Sequence, residues 1–205
     1  YETHLNNKLV ACDQTPRNQY YIQEIFNLYP EAKIVYMVRD PRDVLLSQKK
    51  KWKRKNYVSK DSRKIPYKEL IRSKINYHPI TISKLWNSSI NNLKKDVQSD
   101  RLFTVKFEEL LMNPDKIVPE LCKWLGIEYG EKMLLIPHVG SSSGLDNKNK
   151  IGVNSSRINN FNNGVLNNTE LFLCEKITHE NMDKHGYKSS KQKANPFYLL
   201  YYYIS

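Results

Sequence analysis

A chain of 205 residues is enough for one domain that buries most of its apolar surface, and its net charge of +12, from 33 basic against 21 acidic side chains, favours anionic ligands. Three cysteines, at 12, 122 and 174, lack CxxC spacing, and five histidines form no ligand cluster, which excludes a disulfide framework and a zinc site and fits a reducing compartment. No apolar stretch approaches the roughly 20 residues of a membrane span, the closing run 197–204 included, so no membrane span and a cytoplasmic location are expected.

In chain order, residues 9–12 predict a short strand, and Thr15 predicts a helix cap. The helix opens at Pro16 and carries Tyr21, Ile22, Ile25, Phe26 and Tyr29 on one face. Residues 33–38 are apolar and β-branched and follow a turn at Tyr29-Pro30-Glu31, the pattern of a buried parallel strand. Strand, helix and strand make a βαβ unit with a right-handed crossover. A second helix follows to about residue 54, with Asp40 as N-cap, Pro41 at its first position and Asp43 on the positive end of its dipole.

Residues 56–66 are polar and predict a loop. A helical region then starts at Tyr67 and carries Leu70, Ile71, Ile75, Ile82, Leu85, Trp86, Ile90 and Leu93, bent at His78-Pro79. Residues 101–107 predict a strand, followed by a helical turn to Met112 and a helix over 115–125 that stops at Gly126. Residues 137–168, rich in Ser, Asn and Gly, predict a long loop. A helix over 169–184 ends at Gly186, and 188–195 predict a polar linker. The expected architecture is an α/β, P-loop NTPase-like three-layer fold, with a central parallel sheet flanked by helices. The domain is expected over 1–188 and a C-terminal tail over 189–205.

Arg39 sits where the 33–38 strand ends and a helix begins. At that edge of an open α/β sheet a guanidinium fork beside helix N–H groups suits a phosphate or sulfate, and Ser47 can add a hydroxyl. The bland alternative pairs Arg39 with Asp40 or Asp43 and leaves Ser47 packing a helix face. Lysine outnumbers arginine 25 to 8, so arginine at 39 and 42 points to bidentate recognition rather than local habit. The basic run at 49–55 is read chiefly as solvated charge at a helix C-terminus.

The segment Val38-Arg-Asp-Pro-Arg-Asp-Val-Leu-Leu-Ser47 resembles the 3'-phosphate-binding motif of sulfotransferases that use 3'-phosphoadenosine 5'-phosphosulfate (PAPS). Three further segments keep that family's order. They are Asp13-Gln-Thr-Pro-Arg-Asn18, Val105-Lys-Phe-Glu-Glu-Leu-Leu-Met-Asn-Pro114 with Leu121-Cys-Lys-Trp-Leu-Gly126, and Ser155-Ser-Arg-Ile-Asn-Asn-Phe161. The resemblance runs from about Leu9 to Tyr187 and lies nearest the carbohydrate and tyrosylprotein branches. It implies that Arg39 and Ser47 hold the 3'-phosphate, that Phe107 faces adenine, and that Arg157 and Lys150 close a loop over the phosphate. PAPS is then the donor and PAP the product, no metal is required, and the partner is a hydroxyl-bearing acceptor.

Gln14 stands where the family pattern Glu-Lys-Thr-Pro has a lysine, so a neutral amide is expected to face the sulfuryl group. Pro16 takes the place of a branch-specific histidine, and Asp13 is a local candidate acid. All seven glycines lie at 126 or beyond, so a glycine-rich phosphate loop and the main base are expected upstream of Tyr1. A P-loop kinase-like phosphotransferase and a non-catalytic basic module that binds polyanions are the competing readings. The nucleic-acid version of the latter lacks a recognisable motif.

Overall fold

The computed structural model describes residues 10–58, 77–96, 100–138 and 147–204, with the backbone alone for 52–58, 94–96, 137–138 and 147–150. Two strands, β1 (Ile34–Val38) and β2 (Leu102–Lys106), pair in parallel, with Ile34 opposite Leu102 and Val38 opposite Lys106. Strand periodicity sends Tyr36 and Val38 inward, while Val35 and Met37 remain 40% and 50% exposed on the other face. The covered face is the one that positions the site.

Helices follow the sequence signals closely. A 3-10 turn (Pro16–Tyr20) leads into α1 (Ile22–Leu28), which buries Ile22 and Phe26. α2 (Pro41–Val58) leaves the carboxyl end of β1, and α3 (Pro79–Asp96) begins at the proline expected to bend it. After β2 come α4 (Phe107–Met112) and α5 (Pro114–Leu125). Gly126 ends α5 at φ +77°, a left-handed conformation that an L side chain adopts only with strain. α6 (Asn168–Lys184) opens on a complete capping box, in which Asn167 accepts from the Glu170 N–H and Glu170 accepts from the Asn167 N–H. α7 (Pro196–Ile204) closes the described chain.

Two apolar clusters join these elements. Tyr36, Val38, Trp86, Ile90 and Met182 pack β1 against α3 and α6. Leu45, Leu46, Ile82, Phe161, Leu166, Leu171 and Cys174 pack α2, α3 and α6 around the segment that precedes α6. A fully buried side chain such as Leu45 or Leu173 contributes about 1.5–3 kcal/mol. Burial of Leu45 and Leu46 therefore anchors the first turns of α2.

Three expectations are corrected. Residues 10–12 form no strand, because Val10 is exposed and pairs with nothing among the described residues, so no described strand precedes β1. The expected helix from Pro16 starts as a 3-10 turn, and Thr15 does not cap it; its hydroxyl donates to Asp13 Oδ1 instead. The long loop expected at 137–168 contains two strands, Pro137–His138 (β3) and Asn147–Ile151 (β4), which pair antiparallel. The start of the expected 67–93 helix lies outside the described residues. The 188–195 stretch is irregular, as expected, but it is tied to α6: Ser189 and Ser190 bond to Glu175, and the Asn195 N–H donates to Thr169 Oγ1.

Candidate functional site

The strand end is built around one buried carboxylate. Asp40 caps α2 by accepting from the Arg42 N–H, and its two oxygens also receive Arg42 Nε at 3.0 Å and Nη2 at 2.7 Å. Arg42 Nη1 continues to Glu175 Oε1 and the Lys188 carbonyl, both at 2.9 Å, while its guanidinium lies 4.0 Å from the centroid of the Phe161 ring. The Asp40 N–H in turn donates to Glu108 Oε1, and Glu108 Oε2 accepts from the Tyr187 hydroxyl. Helix α4, directly after β2, thus holds the backbone of the residue next to Arg39, and helix α6 and the 188–190 stretch hold its side chain through Arg42.

Burial shapes the charges in this network. Desolvation opposes ionisation of Glu175, yet hydrogen bonds from Ser189, Ser190 and Arg42 outweigh it and hold its carboxyl below the usual range. The Arg42 guanidinium is raised above its ordinary value by Asp40 and Glu175 despite burial. Arg42 is therefore committed to holding the fold. The bidentate recognition expected of the motif arginines is met at Arg42 by a carboxylate of the protein itself, that of Asp40.

Arg39 differs in its exposure and in having no hydrogen-bonded carboxylate partner. Its side chain is 24% exposed, its Nη2 donates to the Arg157 carbonyl at 3.1 Å, and its guanidinium lies 4.5 Å from the Phe107 ring centroid. Its carbonyl accepts from Trp86 Nε1 at 2.9 Å, which fixes the backbone from which it projects. Its Nε is buried and has no hydrogen-bond partner among the described residues. The nearest carboxylate, Asp43, stands 4.0 Å away, too far for a hydrogen bond. The result is an anchored, ring-backed cation with unspent donor capacity at the carboxyl end of a parallel strand, which fits a phosphate group.

Asp43 shares this incompleteness. It is 1% exposed; Oδ1 accepts from the Phe161 N–H at 2.8 Å, while Oδ2 has no partner among the described residues. Burial pushes its carboxyl up, Arg39 pulls it down, Asp40 pushes it up again, and the net direction is upward.

The structure brings three expected residues together: Arg39, Phe107 and Arg157. Phe107 is the first residue of α4, directly after β2, and Arg157 contributes its carbonyl from a 3-10 turn (Ser155–Arg157). Ser47 lies two turns along α2 from Arg39, half-buried, its hydroxyl making no hydrogen bond among the described residues. Gln14 lies exposed before Pro16, and no contact ties it to the Arg39 group. The Lys150 side chain lies outside the described residues. Asp13 is spent on Thr15 Oγ1 and Asn18 Nδ2, and Lys49, first of the basic run, is spent on Glu170 at 2.5 Å.

Sequence reasoning missed Glu108, Glu175 and Trp86 as parts of the site. Glu175 left a trace: it falls on the same helical stripe as Leu171, Cys174, Thr178 and Met182, where a charge must be paired. Among the described residues no group of three or more His, Cys, Asp and Glu could hold a metal ion, and no helix is long and apolar enough to cross a membrane.

Residues 1–131 match the model of the sulfotransferase family, so the chain belongs to that family. The fold agrees. The sulfotransferase domain of the Synechococcus PCC 7002 olefin synthase superposes with a TM-score of 0.53 at 18% identity, over 82% of this chain and 57% of that one. The sulfotransferase domain from the curacin biosynthetic pathway gives 0.51 at 17% identity, over 82% and 61%. The chain thus spans about three-fifths of the length of these solved domains. No curated protein sequence matches it.

Proposed function

We propose that this chain is the nucleotide-gripping part of a PAPS-dependent sulfotransferase that moves a sulfuryl group to a hydroxyl on a glycan, a small molecule or a peptide tyrosine, as in the carbohydrate and tyrosylprotein branches. The observation that carries the reading is Arg39, a cation held at a parallel-strand terminus with its buried Nε unpaired, while its neighbour Arg42 is saturated. Arg39 and Ser47 take the 3'-phosphate, Phe107 offers its ring to adenine, and Arg157 and Lys150 belong to the segment that closes over the nucleotide.

The donor supplies an activated sulfuryl group, and transfer between oxygens then depends on positioning and charge stabilisation. What these residues do is bind and orient. Trp86 and Glu108 hold the Arg39–Asp40 backbone, which sets the point from which the guanidinium reaches the phosphate. Gln14 is assigned to the sulfuryl oxygens, where its amide can donate a hydrogen bond but adds no positive charge.

The test is calorimetry of the intact protein with PAP, ATP and AMP in the absence of metal, repeated on Arg39→Ala and Ser47→Ala. Each charge-assisted bond lost costs about 1.5–3 kcal/mol, so PAP affinity should fall roughly 10- to 150-fold per substitution. Equal affinity for ATP and PAP, or an Arg39→Ala protein that binds PAP as tightly as the parent, would sink the assignment.

A further inference from the structure

We propose that Asp43 takes up a proton when a nucleotide phosphate occupies Arg39, and that its Oδ2–H then donates to that phosphate. The inference rests on the donor site assigned above and adds a regulatory property to it: binding that weakens as pH rises.

The geometry carries it. Asp43 is 1% exposed, and its Oδ2 is both buried and without a partner among the described residues. Arg39 Nη2 stands 4.0 Å from Oδ2 and is already engaged with the Arg157 carbonyl, while the backbone N–H groups of Phe161 and Asn159 face the same carboxyl. Oδ1, by contrast, is settled on the Phe161 N–H. One carboxylate oxygen is satisfied and the other is left facing the guanidinium that must receive the phosphate.

The charges around Asp43 say what happens on binding. Arg39, at the end of β1, is its counter-charge. Asp40, one turn earlier on the same helix entrance, opposes it, although Asp40 is itself paired with Arg42. The segment before α6 offers backbone N–H groups of Asn159 and Phe161, and the Arg157 carbonyl points at Arg39 rather than at Asp43. When a phosphate draws on Arg39, Asp43 loses much of its compensation and gains a second anion nearby. A buried carboxylate so placed neutralises rather than stay charged. One O–H bond forms on Oδ2, the proton comes from solvent, and no other bond changes. The neutral acid then becomes a donor to the phosphate, which removes the unpaired atom.

The direction of the pH dependence follows. The carboxyl binds its proton more tightly in the complex than in the free protein, so between those two values each PAP bound takes up one proton. Across that window Kd rises by up to tenfold per pH unit.

The experiment is calorimetry of PAP binding to the intact protein in two buffers of different ionisation enthalpy, from pH 5 to 8, on the parent and on Asp43→Asn. The amide keeps an acceptor for the Phe161 N–H and places a fixed donor where Oδ2 stood. Ionisation of the nucleotide phosphate near pH 6 is common to both proteins and cancels in the difference. The parent is expected to take up close to one proton more than Asp43→Asn, and its Kd to climb with pH where that of the variant does not. Equal uptake by both proteins overturns the assignment to Asp43, with the donor site intact. If the parent binds no PAP at all, the donor reading and this inference both fall. Carbon-13 NMR of the parent's aspartate carboxyls, with and without PAP, decides the question if the variant does not fold: a resonance moving to the protonated position supports it, and none moving refutes it.

Discussion

Two arginines three residues apart should answer to opposite assays. Arg42→Met removes the only described cation between Asp40 and Glu175, whose side chains are 3% and 8% exposed, and leaves both carboxylates without it. Stripping one partner from a buried ion network costs about 3–5 kcal/mol. For a domain of this size each kcal/mol lowers Tm by about 2–4 °C, so the loss should fall between roughly 6 and 20 °C. Arg39→Ala gives up one bond to a backbone carbonyl, a ring contact and a 4.0 Å pairing with buried Asp43, from a side chain one-quarter exposed, about 1–3 kcal/mol in all. Thermal unfolding followed by circular dichroism, beside the PAP titration, separates the two. Arg42→Met should melt early, whereas Arg39→Ala should melt closer to the parent and bind PAP roughly 10- to 150-fold more weakly. The reasoning is refuted if Arg42→Met melts within about 2 °C of the parent, or if Arg39→Ala melts as low as Arg42→Met.

Glu175 predicts an acid limb to stability. Its folded carboxyl is held below the ordinary value of 4.5, so its contribution is complete above that pH and is lost as pH falls through the folded value. Glu175→Gln should therefore be less stable than the parent at pH 7, by about 1.5–3 kcal/mol, and converge with it toward pH 3 in urea titrations; a gap constant with pH counts against the pairing. Asn167→Ala removes one half of the α6 capping box and should cost about 1 kcal/mol, read as a Tm lower by about 2–4 °C.

Local chemistry made much of this molecule readable. The β1 run, the Asp40-Pro41 helix start, the Gly126 stop and the α6 helix each carry their cause within a few residues, and each stands within two or three positions of its expected place. Arg39 was legible for the same reason, since strand end and helix start adjoin in sequence. The division of labour between Arg39 and Arg42 was not. It is decided by Glu175, more than 130 residues away, and by the carbonyl of Arg157, 118 residues from the arginine it meets. The 137–168 stretch failed for a different reason: β3 is two residues long, too short for any alternation to register. Residues 10–12 failed because their apolar content matched a strand while none of the described strands pairs with them.

The bond from Trp86 Nε1 to the Arg39 carbonyl gives the protein its own optical probe. Indole emission responds to the dipoles at the ring nitrogen, so any ligand that shifts Arg39 leaves a spectral trace without a label. A second indole supplies the reference. Trp124 donates to the Asp100 carbonyl just before β2 and lies under Lys33 just before β1, at the opposite end of the same two strands. Of the three tryptophans, Trp86 therefore watches the edge where a nucleotide would sit, and Trp124 watches the edge where it would not.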